Sequence, residues 1–201
     1  MKRSTCNLQQ ARMRAWLIAG CAAATLQSAK VVVAGEHASE VKRAPIVVSP
    51  GEGQPTSRFG HLKAASEDTL GAYALVEGAM EPQEGPPPHT HSREDEAWYV
   101  LEGELSFQVG ERVIVGTPGT FVLAPRGIRH RFWNSGKQMA RYLLILSPPG
   151  LEKYFQERLA IPGRDPSKSL YDQSPDFREK EEALSRKYGL TSEGEQPTPR
   201  R

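Results

Sequence analysis

The sequence predicts an all-β protein with a short helical segment towards its C-terminal end. Sixteen prolines and eighteen glycines among 201 residues imply many turns, and therefore short strands rather than a bundle of long helices. Between residues 69 and 148, seven short apolar runs are separated by glycine or proline, a density typical of a β-sandwich or small barrel. Helical periodicity appears only after Pro149.

The strands are predicted from these apolar runs. They cover residues 72–77, 96–101, 105–109, 112–115, 120–123, 130–133 and 141–147. The third has the clearest pattern, because Leu105, Phe107 and Val109 alternate with polar residues, as in a strand with one buried face. Gly103 and Gly110 flank this strand at positions that indicate turns, where glycine can adopt a positive φ.

The predicted helices divide the rest of the chain. One covers residues 151–159, and the other covers 175–188, begun by Ser174 as a cap and stopped by Gly189. The chain is therefore predicted to have five segments. They are a signal peptide (1–34), a polar N-terminal segment (35–58), a β domain (59–150), a C-terminal helical segment (151–190) and a disordered tail (191–201).

Residues 1–34 have the composition of a targeting segment. They contain five basic residues and no acidic residue, and the twelve residues 15–26 carry no charge. Twelve residues match the apolar region of a secretory signal and are too few to span a bilayer. We therefore expect export to the periplasm or the outside of the cell, with cleavage after Ala34 or Ala29. A lipoprotein anchored at Cys21, an organellar transit peptide and a first helix of the fold remain as alternatives.

Charge and cysteine content narrow the classes of partner. The whole chain has a net charge of +2, but beyond residue 34 it has 21 basic against 24 acidic residues, a formal charge of −3. A nucleic-acid partner has no electrostatic support, because binding to phosphates requires a basic face. Cys6 and Cys21 both lie in the targeting segment, so a mature chain would have no disulfide and no cysteine ligand.

Three histidines and one carboxylate form a candidate metal site. His89 and His91 are two residues apart, so both point to one face if the segment is extended. Glu96 opens one predicted strand, and His130 opens another after a tight turn. Three neutral imidazoles and one carboxylate suit a divalent transition metal. Asp95 is a rival for the carboxylate ligand, because its parity matches that of His91.

The spacing of these residues extends over a longer stretch. In chain order it runs Gly85-Pro-Pro-Pro-His89-Thr-His91, four residues, Glu96, six residues, Gly103, then Gly119, five residues, Pro125, one residue, Gly127, two residues, His130, three residues and Asn134. This pattern resembles the two-part signature of the cupin superfamily, His-x-His-x(3,4)-Glu-x(6)-Gly and Gly-x(5)-Pro-x-Gly-x(2)-His-x(3)-Asn. The resemblance covers about residues 60–147.

The resemblance implies a single cupin β-barrel of the jelly-roll type over residues 59–150, with one divalent transition metal inside it. Carried over to this sequence, the ligands are His89, His91, Glu96 and His130. Glu96 is favoured over Asp95 because the six-residue step to Gly103 is counted from Glu96. The resemblance leaves the metal open among Fe, Mn, Ni, Cu and Co. The alternative is a polar cluster in a cupin without a metal.

A substrate pocket is also expected beside the metal. Counting by two from Glu96 places Trp98 and Val100 on the same face, and counting from His130 places Phe132 there. Phe107 belongs to a further apolar row. Aromatic side chains beside a metal suit a flat apolar substrate, although the same side chains serve equally well as core in a small barrel.

The tract from residue 85 to 107, with residues 146–150, is most similar to the small quercetin dioxygenase-like cupins. This similarity implies O₂-dependent oxidation of a flavonol-like or other enol-type small molecule, with Glu96 as the catalytic base. Two other classes stay open. One is a non-catalytic cupin that binds a small molecule or metal, and the other is an oxalate decarboxylase-like or isomerase-like cupin. A homodimer also stays open.

Overall fold

The computed structural model describes residues 44–165 and 173–192. Two antiparallel sheets make up most of this part of the chain, together with two helices, so the prediction of an all-β fold with short C-terminal helices is confirmed. No helix in these two ranges is long and apolar enough to cross a membrane. The predicted signal peptide, residues 1–34, lies outside the described residues.

The strands and helices have the following bounds. They are β1 (Gln54–Ser57), β2 (Gly60–Ala64), β3 (Ala74–Met80), β4 (His89–His91), β5 (Asp95–Glu102), β6 (Leu105–Val109), β7 (Arg112–Gly116), β8 (Phe121–Ala124), β9 (His130–Asn134), β10 (Ala140–Ser147), α1 (Leu151–Leu159), α2 (Pro175–Lys187) and β11 (Leu190–Ser192). One sheet has the strand order β1-β2-β3-β10-β5-β8, and the other has the order β11-β4-β9-β6-β7.

The two sheets pack face to face around a shared core. In β3, β9 and β10 the side chains alternate between buried and half-buried, as expected for strands with one face in the interior. The ring centroids of Trp98 on β5 and Phe107 on β6 are 5.3 Å apart, and those of Phe132 on β9 and Tyr142 on β10 are 5.5 Å apart. These contacts join one sheet to the other through apolar rings.

The seven predicted strands are all present as β3 and β5 to β10, with bounds that differ by at most three residues. Four further strands were not predicted. The sheet begins at Gln54, although the β domain was predicted to begin at residue 59. Strand β1 was not predicted because it is mostly exposed and lacks apolar alternation. Thr191 and Ser192 pair with β4, so the predicted tail began two residues too early; residues 193–201 are not described.

The C-terminal helices follow their sequence signals closely. The hydroxyl of Ser174 accepts a hydrogen bond from the backbone N–H of Phe177 (3.2 Å) and caps α2. Gly189 has a φ of +77°, which lets the chain leave the helix and turn into β11. Its carbonyl accepts a hydrogen bond from the N–H of Ser92 (3.0 Å), immediately after β4. The helical segment is thereby attached to the strand that carries the first two histidines.

Candidate metal centre

The four predicted ligands come from both sheets and meet between them. His89 and His91 lie at the two ends of β4, and His89 pairs in register with His130 at the start of β9. Glu96 lies on β5 of the opposite sheet, between Leu146 on β10 and Ala124 on β8. The histidines therefore approach from one sheet and the carboxylate approaches from the other.

The ligand atoms of these four residues all lie within 4.8 Å of one another, and all four residues are buried. The Oε2 atom of Glu96 is 2.9 Å from Nε2 of His130, 3.0 Å from Nε2 of His91 and 3.7 Å from Nε2 of His89. All three rings thus direct the same nitrogen towards the same carboxylate oxygen.

Two of the rings are oriented by backbone carbonyls. Nδ1 of His89 lies 2.8 Å from the carbonyl oxygen of Pro87, and Nδ1 of His130 lies 2.8 Å from that of Ile128. When each Nδ1–H donates to its carbonyl, the lone pair of Nε2 is directed towards the centre. Metal-binding histidines are commonly held in this way through their second nitrogen.

His91 differs from the other two because a carboxylate lies behind it. Its Nδ1 is 3.6 Å from Oε2 of Glu94, and both side chains are almost fully buried. Within the described part of the chain, neither ring nitrogen of His91 makes a hydrogen bond of good geometry. A buried imidazole without a hydrogen-bond partner, directed at an ionised carboxylate, is the environment that a bound cation would satisfy.

Asp95, the rival carboxylate, serves a different purpose. Its Oδ1 accepts hydrogen bonds from the backbone N–H and Nε of Arg126, both at 2.9 Å, and these bonds lower the pKa of Asp95 to about 2. The next residue, Gly127, donates its N–H to the carbonyl of His91 (2.7 Å). Together these contacts fix the turn that leads into His130.

The charges of the centre favour an ionised carboxylate. Burial alone would raise the pKa of Glu96, but the positive charge of His91 and the closeness of the three imidazoles outweigh it and hold that pKa well below its usual range. Burial lowers the pKa of His91, whereas Glu96 and Glu94 raise it more strongly, to about 9. Glu96 is therefore negatively charged at neutral pH, as a carboxylate ligand must be.

This donor set fits a divalent transition metal. Three imidazole nitrogens and one carboxylate oxygen converge in a buried space, and four protein ligands leave one or two positions of an octahedron for other molecules. The residues that can hold the metal are therefore the four that the sequence pattern had singled out.

A cavity of about 370 Å³ opens beside the centre, and His89, His91 and Glu96 form part of its wall. Its other walls come from the β1–β2 hairpin, β3, the loop before β4, β10, both helices and β11. The aromatic side chains on this wall are Phe59, Phe132, Tyr142, Tyr154 and Phe155. The volume suits a small organic molecule.

Of the four predicted pocket residues, only Phe132 lines this cavity. Trp98, Val100 and Phe107 were assigned wrongly, because they are fully buried in the core between the sheets. Trp98 does pack edge-on against the ring of His130, with centroids 5.7 Å apart. The inward face was predicted correctly, but at these positions the opposite sheet occupies the space that a substrate would need.

The contribution of the C-terminal helices to the cavity was not predicted from the sequence. Tyr154 and Arg158 on α1, and Glu181 and Ser185 on α2, all line it. Each pair is four residues apart, which places both members on one helix face, and this spacing was the available signal. It did not show which way that face would point.

Comparison with known proteins agrees with this architecture. The family model described as "Cupin domain" matches residues 76–146. An uncharacterized protein of Streptomyces coelicolor is 31% identical over 81 residues, which are 40% of this chain and 70% of that protein.

Solved structures give similar matches. A protein of Thermus thermophilus is 29% identical, with a TM-score of 0.37 over 39% of this chain and 74% of that one. A predicted oxalate decarboxylase from Thermotoga maritima is 20% identical, with a TM-score of 0.45 over 50% of this chain and 97% of that one. With its two antiparallel sheets, its buried group of three histidines and a glutamate, and its match to the cupin domain model, this chain belongs to the cupin superfamily.

Proposed function

We propose that this protein is an exported, metal-dependent dioxygenase that oxidises a flavonol-like or other enol-type small molecule with O₂. One observation carries the proposal: the buried group of three histidines and Glu96 forms part of the wall of a cavity with aromatic sides. The acid-free composition of residues 1–34 supports the export part of the proposal.

Each residue of the centre has a defined role in this proposal. His89, His91 and His130 hold the metal through Nε2, and Glu96 completes the set. A divalent transition metal bound there would supply Lewis acidity, redox activity and open positions for further ligands. Glu96 lies in the cavity wall, and in this proposal its carboxylate accepts the proton of an acidic substrate hydroxyl and leaves the enolate anion.

The walls of the cavity favour a flat ring. Phe132 and Tyr142 make an edge-to-face contact there, and Tyr142 occupies the space above Gly78 on the neighbouring strand. A Cβ atom at position 78 would lie 2.5 Å from the Tyr142 ring, so glycine is required for this packing. Burial raises the pKa of Tyr142, which keeps its hydroxyl neutral beside the negative charge of Glu96.

Oxygen uptake tests the proposal. A dioxygenase places both atoms of O₂ in its products and needs no external reductant, so substrate loss should match O₂ consumption one to one. The protein is loaded separately with Fe(II), Mn(II), Co(II), Ni(II) or Cu(II) and supplied with flavonols and small enols. The matching methyl ethers, which have no acidic hydroxyl, are the controls and should consume no O₂.

Two outcomes would contradict the proposal. No O₂ uptake with any metal and any enol would favour a cupin that only binds its ligand. Loss of substrate without O₂ uptake would favour the decarboxylase-like or isomerase-like class instead.

A further inference from the structure

Among the described residues, two arginines line the cavity without a carboxylate partner. Arg158 lies on the last turn of α1, and Arg164 follows six residues later. The Nε atom of Arg158 is buried and has no hydrogen-bond partner in the described ranges, and its guanidinium lies 5.6 Å from the ring centroid of Tyr154. Within residues 44–165 and 173–192, neither arginine forms an ion pair with an acidic side chain.

Three other arginines of the fold are paired with carboxylates. Arg58 lines the same cavity, but its Nη1 is 3.3 Å from Oε2 of Glu81. Arg126 holds Asp95, and Arg141 bridges Glu77 and Glu102. Arg158 and Arg164 differ from the exposed arginines that lack an ion pair, because both are partly buried in the cavity wall.

The nearby carboxylates make no direct ion pair with these two arginines among the described residues. Glu84 and Glu181 also line the cavity and carry negative charge, but within the described ranges neither forms an ion pair with Arg158 or Arg164. Oε1 of Glu181 accepts hydrogen bonds from the hydroxyls of Tyr154 and Ser185. Burial lowers the pKa of Arg164, and the nearby positive charge of Arg158 lowers it further. Two partly buried guanidiniums without a direct ion pair are stabilised when an anion binds between or beside them.

We propose that Arg158 and Arg164 bind an oxyanion of the substrate, a carboxylate or a phosphate, in the same cavity where Glu96 receives its hydroxyl proton. A planar guanidinium fork matches the two oxygens of such a group. The inference rests on the proposed function and narrows its substrate class to enols or phenols that carry an anionic substituent. Tyr154 and Phe155, over which the guanidinium of Arg158 lies, would face the body of such a molecule.

Calorimetric binding tests this inference without any turnover. The probes are 4-hydroxybenzoate, 4-hydroxyphenyl phosphate and the neutral 4-hydroxybenzamide, titrated without O₂ into metal-loaded and metal-free protein. In both forms of the protein, at least one anionic probe should bind at least tenfold more tightly than the amide. Whichever of the carboxylate and phosphate probes binds more tightly identifies the class of oxyanion. The double variant Arg158→Gln/Arg164→Gln should lower that affinity tenfold to a hundredfold and leave the amide unaffected.

The controls separate charge from packing and from metal binding. Arg178→Gln removes one positive charge from the exposed face of α2 and should leave all three affinities unchanged. Arg158→Lys keeps the charge, so it should retain part of the anion preference even if the glutamine variants fold poorly.

Equal affinities for the anionic probes and the amide would overturn the inference. So would an anion preference that appears only with metal bound, or one that survives in the double variant. Because binding is measured without O₂, these results do not depend on whether the protein consumes O₂. An anion site without O₂ uptake would refute the dioxygenase alone, whereas O₂ uptake without an anion preference would refute the anion site alone.

Discussion

The double variant His89→Ala/His130→Ala is expected to lose its metal. The two residues face each other in register on β4 and β9, and each contributes one Nε2 to the centre. Each substitution should lower the metal affinity by about tenfold or more, because it removes one bond to the metal. A water molecule in the vacated space would be a weaker ligand than the imidazole. The metal content measured by elemental analysis should therefore fall from near one metal ion per chain to a small fraction of that value.

His61→Ala is the matched control for this experiment. His61 lies on β2, outside the group of ligands, so its removal should leave the metal content near that of the unmodified protein. Unchanged metal content in the double variant would show that the metal binds elsewhere. The circular dichroism spectra of the three proteins should be alike. Both histidines are the first residues of short strands, and neither belongs to the apolar core.

The variant Glu96→Gln is expected to retain much of its metal while losing turnover. Glutamine keeps the size of the side chain and an oxygen that can coordinate, but its amide cannot accept a proton near neutral pH. Oxygen consumption per bound metal should fall about 10²-fold to 10⁴-fold, the usual contribution of general base catalysis. Metal content is measured in the same samples, because an amide is a weaker ligand than a carboxylate.

Asp95→Asn provides the matched control for that change. The residue is adjacent in sequence and also carries a carboxylate, but it faces Arg126 at the surface rather than the centre. An asparagine oxygen can still accept the hydrogen bonds from Arg126, so O₂ consumption should stay close to that of the unmodified protein. Equal rates per metal in the unmodified protein and in Glu96→Gln would exclude Glu96 as the base.

Much of the fold and of the metal centre could be predicted because local patterns encode them. Alternation in residues 105–109 predicted β6 with its observed bounds, and Leu105 and Phe107 on its apolar face are fully buried. The parity of His89 and His91 placed both rings on one side of β4, and the six-residue step to Gly103 favoured Glu96 over Asp95.

The cavity could not be predicted in the same way, because its walls depend on how distant elements pack. Trp98 and Phe107 lie on inward faces, as expected. The two sheets pack against each other at these positions, so the side chains belong to the core rather than to a cavity. Arg158 and Arg164 are about 60 residues beyond Glu96 in sequence, and β11 brings the helical segment back to β4. No local pattern in residues 151–190 specifies that return.

Anomalous diffraction from crystals of the metal-loaded protein would locate the metal bound by the three histidines and Glu96. Data collected at the absorption edge of the bound metal locate that ion independently of activity. We expect one strong peak per chain at about 2.0–2.2 Å from Nε2 of the three histidines and from a carboxylate oxygen of Glu96. A peak at another site, or no peak at these four residues in fully loaded crystals, would contradict this expectation.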